Sequence, residues 1–221
     1  MSFSLQDQVR AEIAGQFRAA VAEGREAFDD ASGDEDSITG ALIAPMGRLV
    51  KGSIAVGGQQ FFWSTHLKKL RGRGPGAPEK RIGADAIFEI EVRTVGTTPT
   101  MRKALLMQSK TGWTGKDSRL KGQCVQMEAA APGLGIAVDF TAAAYTGVAA
   151  ATVVQSDGNR RSVPAAAAKD LGTMLGSDFL ECRIGTEGVY YDAVRELLVV
   201  GPTVTPARVK NRVRTIVTQV P

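Results

Sequence analysis

Two short stretches of this chain carry residue types that could work on a phosphodiester. Asp85 lies in IGADAIFEIEV, and Gln108 and Lys110 lie in KALLMQSK, so together they offer a carboxylate, an amide oxygen and an ammonium group. Side chains of an extended strand alternate between faces. Ala86, Phe88, Ile90 and Val92 are therefore expected to face a core, while Asp85, Glu89 and Glu91 face away from it. The same period places Gln108 and Lys110 on one face of the second stretch. If the two stretches pair as a hairpin through RTVGTTPTMR, the acid and the Gln-x-Lys pair meet across the ladder. The competing reading is an amphipathic strand with a solvated acidic face.

With these residues, in the order helix, strand, strand, helix, the segment from residue 35 to residue 130 resembles the PD-(D/E)xK nuclease superfamily in its Gln-x-Lys form. Ala84 stands where the superfamily's name has Pro. Gln108 stands where most members have Asp or Glu, which lowers the negative charge available to a divalent metal. The resemblance implies an α/β (α+β) fold, restriction-endonuclease-like, with a central mixed sheet flanked by helices and an additional C-terminal αβ portion. It adds Glu35, upstream on a helix, to the site. It implies that Asp85, Glu35 and Gln108 hold Mg²⁺ or Mn²⁺ through hard oxygen ligands, with Glu89 and Glu91 as alternative ligands. Lys110 would orient a metal-bound water or stabilise developing charge during in-line hydrolysis. The implied activity is that of a DNA endonuclease, as in restriction enzymes or bacterial antiphage defence effectors. The alternative is an inactive nucleic-acid-binding or assembly protein on the same fold.

Several elements must position these residues. Leu5, Val9, Ile13, Phe17 and Val21 recur at i, i+4 and predict a helix over 5–29 that covers the core or pairs with another subunit, so a homo-oligomer or a partner-activated protein is expected. Asp34 or Asp36 can cap a second helix from Ser37 toward Arg48, ended or kinked at Pro45. Residues 53–66 read as one or two strands broken at Gly57-Gly58. A helix is expected from Asp117 to Ala130, strands over 134–155, a helix over 164–176 and a hairpin about Thr186. The catalytic core would span 35–155 of one domain, and 156–221 would be an extension opening at an exposed loop, SDGNRR.

The charge distribution is uneven. Lys68, Lys69, Arg71, Arg73, Lys80 and Arg81 precede the Asp85 strand in a stretch punctuated by glycine and proline, and this basic loop is expected to contact a phosphate backbone. A second group, Arg208, Lys210, Arg212 and Arg214, reads as a solvated face. Net charge is +4 over 221 residues, with 43% hydrophobic and 23% charged residues, an ordinary globular composition with one substantial core. No apolar run approaches the ~20 residues of a membrane span, and the start lacks a signal-peptide pattern, so a cytoplasmic protein is expected. Cys124 and Cys182 are too far apart in sequence for a paired zinc motif and read as buried free thiols. His66 is the only histidine and reads as structural, and RGRGPGAPEK lacks the GK[ST] ending of a phosphate loop.

Overall fold

A computed structural model describes residues 5–70, 82–96 and 101–220. The chain runs α1 (Asp7–Glu26), α2 (Phe28–Ala31), α3 (Glu35–Leu49), β1 (Lys51–Val56), β2 (Gln59–Lys69), β3 (Ile82–Thr94), β4 (Met101–Thr111), α4 (Ser118–Ala130), β5 (Gly135–Phe140), β6 (Tyr145–Ala149) and α5 (Ala150–Gln155). It continues through β7 (Ala168–Asp170), α6 (Leu171–Thr173), a π-helical segment (Met174–Phe179), β8 (Thr186–Glu187), β9 (Val189–Asp192), β10 (Leu197–Val200) and β11 (Thr203–Val220). This is a mixed sheet flanked by helices, in the order β1-β2-β11-β3-β4-β5-β6-β7.

The apolar stripe of α1 is buried within the chain, so it is not free to pair with another subunit. Val9, Ile13, Phe17 and Val21 join Ile38, Leu42 and Met46 of α3 and Phe88, Ile90 and Val92 of β3 in one core. Gly24 lets α1 approach α3 closely, since a Cβ there would stand 2.7 Å from Leu42 Cα. The opposite face of the sheet packs on a second core built from Leu120, Cys124 and Met127 of α4, Val153 of α5 and Val189, Tyr191 and Leu198 of the β9–β10 ladder. Burying both faces explains why β5, GIAVDF, does not alternate apolar with polar residues: all six are buried, Asp139 included.

Asp34 caps α3, accepting the Ser37 N–H at 3.0 Å. The helix runs through Pro45 to Leu49 rather than ending there. The missing N–H removes one helical bond, but Pro45, Met46 and Ile43 are buried, and that packing holds the last turn.

The last third departs most from the sequence reading. Residues 150–155 are helical rather than extended, and most of 164–176 is short turns, β7 and the start of the π-helical segment rather than one helix. The hairpin lies between β9 and β10, while β8 pairs with β4. The loop after α5 is pinned rather than free: Gly158 O accepts the Asp117 N–H at 3.0 Å and the Trp113 indole N–H at 3.1 Å. Most consequential is β11, which lies between β2 and β3, antiparallel to the first and parallel to the second. Its basic residues are therefore not a solvated face. Lys210 pairs with Asp85, Arg212 with Glu89 and Arg214 with Glu91.

Candidate active site

The β3–β4 ladder ends at Ala86↔Met107, one step before Asp85 and Gln108 would face each other. Ordinary pairing lapses there. Ala84 packs into the α4-side core whereas Ala86 packs into the α1–α3 core, so the alternation of β3 breaks at Asp85. In the register with β11 the only step missing between Ala207↔Ile82 and Gln219↔Thr94 is the one that would pair Lys210 with Asp85. Side chains take over the hydrogen bonding at this point. Asn211 Nδ2 donates to the carbonyl of Asp85 at 2.9 Å.

The carboxylate of Asp85 is 3% exposed and fully engaged. Its Oδ2 accepts from Ser109 N–H at 2.9 Å, Ser109 Oγ at 2.5 Å and Gln108 Nε2 at 2.5 Å. Its Oδ1 lies 2.8 Å from Lys210 Nζ, which also reaches Asp36 Oδ1 on α3 at 2.5 Å. Burial works against the Lys210 charge, but Asp36 and Asp85 more than offset it and hold the ammonium above its ordinary range. Thr39 Oγ lies 3.2 Å from Ser109 Oγ and 2.8 Å from the carbonyl of Glu35, which ties the start of α3 to β4.

Lys110 stands beside this group. Its Nζ lies 3.2 Å from Asp117 Oδ2 and 4.0 Å from Glu35 Oε1, and Glu35 also accepts the Thr111 N–H at 3.3 Å. Asp117 caps α4 through the Leu120 N–H. Burial raises its carboxyl, but the Leu120 N–H and the Lys110 ammonium outweigh that and leave it below the usual carboxylate range.

All four residues expected to act together are thus linked to one network at one end of the sheet. The network also contains Asp36, Thr39, Ser109, Asp117, Gln123, Lys210 and Asn211, which sequence reasoning did not place there. A signal for the last two existed, because basic residues recur at 208, 210, 212 and 214, the period of a strand.

Glu89 and Glu91 are not alternative ligands at this end. Glu89 accepts the Tyr191 N–H at 2.7 Å and pairs with Arg212, and Glu91 is held by Arg214, Arg93 and Arg102. Lys68 and Lys69 are exposed at the end of β2, where Lys69 is in register with Asn211. Arg71, Arg73, Lys80 and Arg81 lie outside the described residues. His66 is exposed, its Nε2 3.1 Å from Ser64 Oγ. Cys124 is buried and its thiol is pushed up to about 12 by burial, whereas Cys182 is only half-buried.

Among the described residues no three Asp, Glu, His or Cys side chains converge at metal-ligand spacing. The implied ligand set needs only two such groups, Asp85 and Glu35, with the amide oxygen of Gln108. One arrangement suits a cation: Asp36 Oδ1 and Asp85 Oδ1 face a common position, held by Lys210 Nζ at 2.5 and 2.8 Å. Lys110 forms a separate group with Asp117 and Glu35. Gln108 presents its Nε2 to Asp85 Oδ2 and its Oε1 to Gln123 Nε2, at 3.0 Å, so its oxygen would have to turn to join the ligand set.

No family model, curated protein or solved structure matches the chain. No helix among the described residues is long and apolar enough to cross a membrane.

Proposed function

We propose that the chain is a divalent-metal-dependent nuclease of the PD-(D/E)xK kind in its Gln-x-Lys form, hydrolysing phosphodiester bonds of nucleic acid, with DNA as the first substrate to test. The observation that carries this reading is convergence. Gln108 from β4 bonds to Asp85 from β3, and Lys110 from β4 lies 4.0 Å from Glu35 of α3; Ser109 and Thr39 join the two pairs through the Glu35 carbonyl, although 75 positions separate Glu35 from Lys110. Asp85, Glu35 and the Gln108 oxygen would hold Mg²⁺ or Mn²⁺, which when bound supplies Lewis-acid polarisation of a phosphoryl oxygen and an acidified water.

The chain's own residues do the rest. Ser109 fixes the Asp85 carboxylate from one side through two donors. Asp117 and Glu35 flank the Lys110 ammonium and fix its place; with Glu35 drawn to a metal, Lys110 would be left to steady an attacking water or the charge that develops on phosphate. Lys68 and Lys69, exposed beside β11, suit contact with the phosphate backbone and confer no sequence preference by themselves. Such a nuclease fits a restriction-type or antiphage role in which a partner or assembly supplies selectivity.

A second reading, nucleic-acid binding without catalysis, draws on the neutral Gln108 and on both Asp85 oxygens being met by the chain's own donors. Cleavage of plasmid and single-stranded substrates with Mg²⁺ or Mn²⁺, with an EDTA control, separates the two. Cutting that is lost in both Asp85→Ala and Lys110→Ala supports the nuclease. No cutting under any condition, with salt-dependent binding retained, supports the second reading.

A further inference from the structure

We propose that Lys210 is the resident counter-cation of Asp85, and that a divalent ion reaches Asp85 Oδ1 only by displacing the Lys210 ammonium. This rests on the nuclease reading above and adds to it a competitor supplied by the chain itself.

The two oxygens of Asp85 differ in how replaceable their partners are. Oδ2 is held by a backbone N–H and a hydroxyl, both from Ser109 on the neighbouring strand, and by the Gln108 amide. The Ser109 N–H is a backbone donor held in place by the ladder of β4 with β5. Oδ1 is met by Lys210, at 2.8 Å. Lys210 is 42% exposed along its side chain, and its second partner, Asp36, is 36% exposed on the first turn of α3. The ammonium sits on a flexible stem that is partly exposed, so it can withdraw toward solvent and be rehydrated there.

The placement of Lys210 also suits exchange. It occupies the one step at which the β3–β11 register lapses, while its own carbonyl accepts the Leu70 N–H at 2.8 Å, so the side chain moves from an anchored backbone. Asn211 keeps the backbone in place by its bond to the Asp85 carbonyl. When a divalent ion arrives, Asp36 can keep the released ammonium at the rim. Metal affinity is then the difference between two cations competing for one oxygen, weaker than the ligands alone would give.

The test is a Mn²⁺ titration of the full chain followed by electron paramagnetic resonance, comparing the native protein with Lys210→Met and Lys210→Arg. Removing a charge-assisted competitor should tighten Mn²⁺ binding about tenfold in Lys210→Met, while Lys210→Arg, which keeps a cation, should bind no more tightly than the native chain. A second readout needs no variant. Amine labelling of native protein, read by mass spectrometry, should rise at Lys210 when Mn²⁺ is added, and it stands even if Lys210→Met folds poorly. Mn²⁺ binding that is equal or weaker in Lys210→Met, with Lys210 labelling unchanged by metal, overturns the competition and leaves the nuclease site standing. Failure of the native chain and both variants to bind Mn²⁺ removes the metal site at Asp85 and the competition with it.

Discussion

Arg212→Met is the perturbation that separates a structural acid from a ligand. The Glu89 side chain is 5% exposed and that of Arg212 17%, so the pair sits where water cannot replace a lost partner. After the substitution Glu89 keeps only the Tyr191 N–H, at 2.7 Å, as a named donor. Breaking such a pair from one side costs about 3–5 kcal/mol, because the remaining charge is buried and uncompensated. Taking the lower bound of about 3 kcal/mol and about 2–4 °C per kcal/mol for a chain of this length, Tm should fall by about 6–12 °C. The double variant Arg212→Met with Glu89→Gln removes both charges and keeps an acceptor for Tyr191, so it should return to within about 1 kcal/mol of the native chain. Urea unfolding at pH 7 measures both, with an unchanged m-value as the check that the unfolded state is the same. A cost below about 1 kcal/mol for Arg212→Met, or loss of Mn²⁺ binding in Glu89→Gln alone, would refute the assignment of Glu89 to structure.

Ser109→Ala removes the hydroxyl 2.5 Å from Asp85 Oδ2 and leaves the backbone N–H, so it should cost about 1.5–2 kcal/mol in the same urea assay; a cost below about 0.5 kcal/mol means that the hydroxyl does not hold the carboxylate. Burial raises the Glu91 carboxyl, but the Arg214 and Arg93 bonds outweigh it, so it lies below its ordinary value. A depressed folded pKa contributes stability that is complete above the unfolded value and is lost as pH falls through the folded one. The stability advantage of the native chain over Glu91→Gln should therefore be constant above about pH 6 and begin to shrink as pH falls below the ordinary carboxylate value of about 4.3; an advantage that grows on acidification contradicts the ion-pair origin.

The helix and hairpin that build the site were legible because their signals are local. Asp34 precedes α3 as a capping residue, Asp117 does the same for α4, and the periodicity around Asp85 and Gln108 marks two strands that do pair antiparallel. What the period could not reveal is that it breaks at Asp85 itself. Strict alternation put Asp85 on one face with Glu89 and Glu91, whereas a lapse in pairing on both sides of Asp85 separates it from them. The long-range partner was invisible for a different reason. Arg208, Lys210, Arg212 and Arg214 look solvated when read alone, since basic side chains usually are, and only the sheet order gives the last three acids to meet. Pro45 predicts an end or a kink in α3, and the helix does not end there: burial of its face carries it on to Leu49.

The position of β11 makes the site and the closure of the sheet one event. β2 and β3 share no ladder of their own, so the β1–β2 pair joins the rest of the sheet only when residues 203–220 lie between them. In that same step the acids of β3 acquire their cations. Glu89 and Glu91 receive arginines, whose planar forks hold a fixed geometry and whose partners are buried, and these pairs are permanent parts of the sheet. Asp85 receives a lysine, a point charge on a stem reaching in from solvent, shared with an acid on an exposed helical turn. One strand thus neutralises three carboxylates by two kinds of contact. All three acids are buried, and what differs is the cation: Arg212 and Arg214 are less exposed than Lys210, which stands at the only one of the three acids that belongs to the proposed metal site. A strand serving stability alone would have no need to differ at Lys210, and that difference is the reason to look for exchange at Asp85 rather than along the rest of the ladder.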